Sequence, residues 1–203
     1  MLGMKTHLSI ITLNINGLNS PIKRHKVAKW IKNHNPSICC LQETLLTSKD
    51  THKLKVKGWS KVIHTNGTRK QAGVAIMISD KLDFKPKLIR RDKEGHFLLV
   101  KGTIQQEDIT IVNIYAPNIG ATTFIKETLR DIKSHIDPNT IILGDFNTPL
   151  TPLGRSSRQN VSKDASDLRN TINQMDLVDT YRIFHPSTAE FTFLQLLMEP
   201  SLK

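Results

Sequence analysis

The sequence predicts an α/β fold, a mixed-sheet architecture with helices packed outside. Three observations point there. Short β-like runs alternate with helical patterns along the chain. Hairpins are separated by helices long enough to cross over a sheet. And 203 residues, 38% hydrophobic and 23% charged, have the size and composition of one globular core. No internal repeat, low-complexity tract or interdomain linker interrupts the pattern.

Taken in order, His7 to Leu13 reads as a strand, rich in Ile and Thr, that stops at the polar Asn14-Ile-Asn-Gly17. Ser20-Pro21 is a helix start, a capping residue followed by proline in the first turn. Val27, Trp30 and Ile31 give that helix an apolar stripe, and Asn35-Pro36 ends it. Ile38 to Gln42 is a strand apolar enough to be covered on both faces. Lys61 to Thr65 and Gly73 to Ser79 flank Asn66-Gly67, a turn signal inside a loop longer than two residues. His96 to Ile104 and Ile109 to Tyr115 form a clearer hairpin across Gln105-Gln-Glu-Asp108. Ile125, Leu129, Ile132 and Ile136 recur at helical spacing and mark one apolar face. Thr140 to Gly144 is a strand, followed by a long polar loop from Thr148 to about Ser162. Within it, Arg155-Ser-Ser-Arg158 is the most basic and flexible candidate binding element. Leu168, Ile172 and Met175 mark a last helix, and Glu190 to Phe193 the start of a strand.

Charge narrows the partners. Lys and Arg number 29 against 18 Asp and Glu, a net of +11. Solubility alone requires only about 2 to 8 net charges on a small domain. An excess of this size favours a polyanion, because each phosphate contact releases condensed counterions. Nucleic acid is the first candidate and an anionic lipid head group the second. No apolar run approaches the roughly 20 residues of a membrane span, and Met1 to Ser9 lacks a secretory pattern. The expected location is therefore intracellular, nuclear or cytoplasmic, with no membrane and no stable protein partner. Cys39 and Cys40 are neighbours in a strand and point to opposite faces, so they read as buried hydrophobes rather than a disulfide.

Polar residues end several of the apolar strands: Asn14 the first, Glu43 the second, and Asp145 and Asn147 the run Ile141-Ile-Leu-Gly144. Glu43 and Asp145 could supply hard oxygen ligands for magnesium or a general base for water. Asn14 and Asn147 could add amide contacts to metal or phosphate. Each alone is an ordinary strand-end residue; their joint placement suggests a site.

The strings around them are more specific. Leu41-Gln-Glu-Thr44, Asn113-Ile-Tyr-Ala-Pro-Asn118 and Leu143-Gly-Asp-Phe-Asn-Thr-Pro149, in that order, resemble the endonuclease/exonuclease/phosphatase superfamily. Within it, the chain is most similar to the endonuclease domain of mammalian long-interspersed-element retrotransposon polyproteins. Ile11-Thr-Leu-Asn-Ile-Asn-Gly-Leu-Asn-Ser20, Asp83-Phe-Lys-Pro86 and Arg91-Asp-Lys-Glu-Gly-His96 carry that likeness, which covers about Thr6 to Phe193. The resemblance implies a four-layer α/β sandwich, two packed mixed β-sheets flanked by helices. It also implies magnesium-dependent phosphodiester hydrolysis, with manganese as a substitute, on DNA. In such enzymes Glu43 binds the metal with Asn14 beside it, and Asp145 orients or deprotonates the attacking water. Asn147 holds the phosphate and the Tyr115 hydroxyl lies near it, while Arg155 and Thr192 resemble positions that face DNA. Tyr115 could equally fill a sheet core, and Arg155 could be a solvated loop charge. Retroelement members nick A/T-rich DNA and leave a 3′-hydroxyl that primes reverse transcription.

The end of the chain departs from the pattern. Relatives continue to segments like Ser-Lys-Ile-Asp-His and Ser-Asp-His-Ser, which supply a further aspartate and histidine; His185 in Phe184-His-Pro186 cannot take that role. The expectation is therefore an incomplete domain over 1–193, lacking its last strands, and an aberrant tail over 194–203. One codon spelling of Gln195 to Lys203 encodes, two bases on, a segment close to that of relatives, so the tail reads as frameshift-derived. On this reading nicking is reduced or absent. The alternatives are a nucleic-acid-binding remnant without chemistry or a translated relic. A phosphatase for lipid or inositol phosphates is a third, disfavoured by the retroelement strings and the charge.

Overall fold

A computed structural model describes residues 8–67, 71–148, 163–180 and 183, and the backbone of 194–198. The elements run β1 (Ile10–Asn14), α1 (Pro21–His34), β2 (Ile38–Gln42), β3 (Lys61–Thr65), β4 (Val74–Ile78), β5 (Phe84–Arg91), β6 (Phe97–Ile104), β7 (Glu107–Tyr115), α2 (Ala121–Ile132), β8 (Thr140–Asp145), α3 (Lys163–Gln174), β9 (Leu177–Asp179) and β10 (Leu194–Met198). They form two mixed sheets, of order β1-β2-β4-β3 and β5-β6-β7-β8-β10-β9.

Strand alternation divides the apolar residues into three layers. Cys40, Val74, Ile76 and Ile78 of the smaller sheet face Leu98, Val100, Ile111 and Leu143 of the larger one across the central core. The outer face of the smaller sheet buries Cys39, Leu41, Ala75 and Met77 against Ile31 of α1 and Leu54, Val56 and Trp59. The outer face of the larger sheet buries Leu99, Val112, Ile114 and Ile142 against Ile125 and Leu129 of α2 and Leu168 and Ile172 of α3. The result is helix, sheet, sheet, helix, as expected. Cys39 and Cys40 are free, buried, and on opposite faces of β2.

α1 starts at Pro21 behind an extended Ser20 and ends where Asn35 turns left-handed, at φ 45°, its N–H bonded to Ile31 O. Gln105 and Gln106 both have positive φ, the geometry that reverses the β6–β7 hairpin. Three strands were not read from the sequence. β5 contains Pro86 and four Lys or Arg residues, a composition that hides a strand; it is tolerated because β5 is an edge strand whose register shifts between Pro86 and Leu88. β9 has only three residues. β10 begins the segment that the sequence set apart as a tail, and it pairs antiparallel with both β8 and β9. A β8 edge left open presents unpaired N–H and C=O groups, and backbone pairing accepts nearly any extended segment. α2 ends at Ile132, so Ile136 packs beyond the helix after the tight turn Lys133–His135.

Two parallel pairs position the site. β1 lies beside β2 with Asn14 opposite Gln42, and β7 beside β8 with Tyr115 opposite Asp145. Gly144, at φ 137°, permits the second pairing, because a Cβ there would lie 1.9 Å from Ile114 O.

Candidate active site

Glu43 and Asn147 each follow a strand closely and each adopt a left-handed backbone, at φ 52° and 45°. Asn tolerates that conformation; for Glu it costs about 1 kcal/mol, and such strain concentrates where a side chain must be aimed. The turn at Glu43 is held from both sides. Gly17 N–H donates to Glu43 O at 2.6 Å, Leu18 N–H to Thr44 O at 2.9 Å, and Thr44 N–H to Gly73 O at 3.0 Å.

Two side-chain hydrogen bonds then cross from one sheet to the other. Asn14 Nδ2 donates to Asp145 Oδ2 at 2.8 Å. The Tyr115 hydroxyl donates to Glu43 Oε1. Four of the residues chosen from the sequence therefore converge at one end of the sandwich, each from the end of a different strand. Asn147 completes the rim: its N–H donates to Asp145 Oδ1 at 3.1 Å and its Nδ2 to Ala116 O at 2.7 Å. Burial, then the bond to Glu43 and the charges of Glu43 and Asp145, push the Tyr115 phenol above its usual range. Tyr115 is thus a fixed hydrogen-bond donor as well as a core residue, 6% exposed. Arg155, Thr192 and the run Glu190 to Phe193 lie outside the described residues.

Two supports escaped the sequence reading. Asn113 is fully buried between the sheets and donates from Nδ2 to Leu41 O and Ala75 O, both at 3.0 Å, while its Oδ1 accepts from Gln42 Nε2 at 2.6 Å. The signal was available as a polar residue inside each buried run, Ile38-Cys-Cys-Leu-Gln42 and Ile109-Thr-Ile-Val-Asn113. His96, expected only as the start of a strand and as part of the family-like string, packs its ring on Tyr115 and Phe124 and directs Nδ1 at Tyr115 O, 2.8 Å away.

A divalent cation fits this donor set. Glu43 Oε2 takes no hydrogen bond among the described residues, and Asn14 Oδ1 accepts only Asn16 N–H at 2.9 Å. A carboxylate beside an amide oxygen suits magnesium, which commonly uses one or two carboxylates and completes its shell with water and substrate phosphate. Among the described residues no cluster of three or more His, Cys, Asp or Glu forms a closed cage.

Residues 11–194 match the Endonuclease/Exonuclease/phosphatase family. The chain is 29% identical over 196 residues to the transposon TX1 uncharacterized 149 kDa protein of Xenopus laevis, covering 93% of this chain and 15% of that one. Its fold is similar to that of an AP endonuclease from Archaeoglobus fulgidus (TM-score 0.74, 21% identity, 96% of this chain and 88% of that one). It is also similar to the 3′ phosphatase NExo from Neisseria, bound to a product DNA hairpin (TM-score 0.71, 17% identity, 95% and 87%).

Proposed function

The chain belongs to the endonuclease/exonuclease/phosphatase family, and on that premise we propose that it is a magnesium-dependent DNA endonuclease of retroelement type, nicking A/T-rich duplexes to leave a 3′-hydroxyl primer. The observation that carries this reading is the convergence of Asn14, Glu43, Tyr115 and Asp145 through two inter-sheet hydrogen bonds. The likeness to a transposon protein supports the retroelement origin.

Glu43 and Asn14 would hold the cation, which when bound neutralises charge on the reacting phosphate. Asp145 is fixed through both oxygens, by Asn14 Nδ2 and by Asn147 N–H, and each oxygen keeps a lone pair for a water proton. On this reading Asp145 is the general base, held at a rigid strand end. In the reaction the water gives a proton to Asp145 as its oxygen bonds to phosphorus, the bond to the 3′ oxygen breaks, and that oxygen takes a proton from solvent to leave as a hydroxyl, the phosphate staying on the 5′ side. Tyr115, kept protonated, donates toward Glu43 and resists becoming a competing base. Asn147 retains one amide hydrogen beyond that given to Ala116 O, available to a phosphate oxygen.

The test is nicking of supercoiled plasmid with and without magnesium, with Asp145→Ala as comparison. Loss of a general base costs about 10²- to 10⁴-fold. Magnesium-dependent nicking that falls by at least 10²-fold in Asp145→Ala supports the assignment; equal nicking by both proteins refutes it. The net charge of +11 favours a second reading, a nucleic-acid-binding domain without turnover. Binding that persists after metal removal, with no nicking at any metal concentration, would select it.

A further inference from the structure

The positive charge of this chain is not evenly spread. Residues 15–61 hold ten Lys and Arg against two acidic residues, whereas residues 62–203 hold eighteen against sixteen. Eight of the eleven net charges therefore lie in the segment that covers the outer face of the smaller sheet. Of the two acids, Glu43 faces Tyr115 in the site, and Asp50 accepts from Thr47 at 2.7 Å and neutralises only Lys53, at 2.6 Å.

α1 concentrates the effect. Lys26, Lys29 and Lys32 are exposed and make no hydrogen bond or ion pair among the described residues. Three-residue spacing stacks them along one side of the helix, about 4.5 Å apart along its axis. Lys55 and Lys57, also exposed, alternate with the buried Leu54 and Val56 that pack beside Ile31. By contrast α2, the corresponding outer helix of the larger sheet, intersperses Lys126 and Arg130 with Glu127 and Asp131, and Asp131 pairs with Arg90 at 2.8 Å.

The placement also works against the helix. α1 has no acidic residue in its first turn and no side-chain bond at its N-cap, yet Lys23 and Arg24 sit at the end where the helix dipole disfavours cations. Lys23 and Arg24 ease this by donating to Asn16 O, Leu18 O and Asn19 O, carbonyls of the loop that leaves Asn14. Lys26, Lys29 and Lys32 have no such partner among the described residues, and only Lys32, in the last turn, is favoured by the dipole.

We propose that the outer face of α1, flanked by Lys55 and Lys57, is a second nucleic-acid-binding surface, which grips a phosphodiester backbone outside the candidate active site. The stripe starts at the rim of that site, where Lys23 meets Asn16, and recedes from it over about 14 Å to Lys32. Lysines act as point charges on phosphates without reading bases, so the surface is indifferent to sequence. A nucleic acid fits better than a membrane, because the outward face is polar and Ile22, 70% exposed, is the one large apolar side chain it presents among the described residues.

The inference goes beyond the proposed activity and is tested without it. Binding of the full chain to a short DNA duplex is measured by fluorescence anisotropy in EDTA across a sodium chloride series. The comparison is between the triple variant Lys26→Gln, Lys29→Gln, Lys32→Gln and a control on α2 and the turn after it, Lys126→Gln, Arg130→Gln, Lys133→Gln. Gln matches Lys in helix propensity, and circular dichroism checks that both variants fold. Each phosphate contact adds about 0.9 to the slope of log K against log salt, so the α1 variant is expected to lose about 2 to 3 units and the α2 control little. Equal slopes in all three proteins would overturn the proposal, as would an equal loss in the control. So would a variant that keeps its DNA slope but loses binding to phosphatidylserine vesicles, since the partner would then be a membrane. Absence of nicking leaves the slope comparison standing, so the two readings fail separately.

Discussion

Truncating Asn113 to alanine tests whether the buried amide pair locks the two sheets together. Asn113 and Gln42 are both fully buried, so solvent does not discount their bonds. The change deletes two bonds to the carbonyls of β2 and β4 and one from Gln42. Each is worth about 1 kcal/mol net, and a buried group left without its partner adds about 1 to 3 kcal/mol. Gln42 Nε2 keeps the Thr12 hydroxyl at 2.9 Å, which limits the second contribution. The expected loss is therefore about 3 to 5 kcal/mol, a large fraction of the 5 to 15 kcal/mol typical of a domain. Urea unfolding followed by circular dichroism measures it, with Gln42→Ala and the double variant completing a thermodynamic cycle. A coupling of about 1 kcal/mol or more is expected between the two positions. A loss below about 1 kcal/mol for Asn113→Ala, or no coupling, would refute the clasp.

Two further outcomes follow from buried titratable groups. Tyr115 has its pKa raised in the folded state, so folding is favoured fully below the ordinary tyrosine value and loses that contribution as pH climbs above it. Ultraviolet titration should show one of the two tyrosines ionising late, and Tyr115→Phe should delete that late step; deletion of a step near pH 10 would contradict the burial argument. Burial pushes the Cys39 thiol up to about 12, and burial together with Cys39 also holds Cys40 well above the ordinary thiol value, so neither forms the reactive thiolate in the native protein. Labelling by a thiol reagent at pH 8 should proceed no faster than unfolding, and rapid labelling of the folded chain would be inconsistent with these positions.

Local chemistry made much of this molecule readable in its sequence. Ser20-Pro21 and Asn35-Pro36 bound α1 because a proline favours a first turn and disfavours the helix before it. The unbroken apolar run Ile38–Gln42 marks a strand buried on both faces, with Cys39 and Cys40 divided between two cores by the pleat. Asn14, Glu43 and Asp145 were recognisable because polar side chains end apolar strands, where a scaffold presents groups to a ligand. What the chain could not reveal depends on partners distant in sequence. β5 looks too charged and proline-bearing for a strand until the sheet makes it an edge, and β10 exists because β8 and β9 leave it a slot. Sequence alone could not show that Asn14 bonds to Asp145, 131 residues away, or that Asn113 reaches through to the carbonyls of the other sheet. It counted the lysines, but only folding sets Lys26, Lys29 and Lys32 on the exposed side of α1 while Ile31 packs inward, because charge has an address only once the backbone gives each side chain a face.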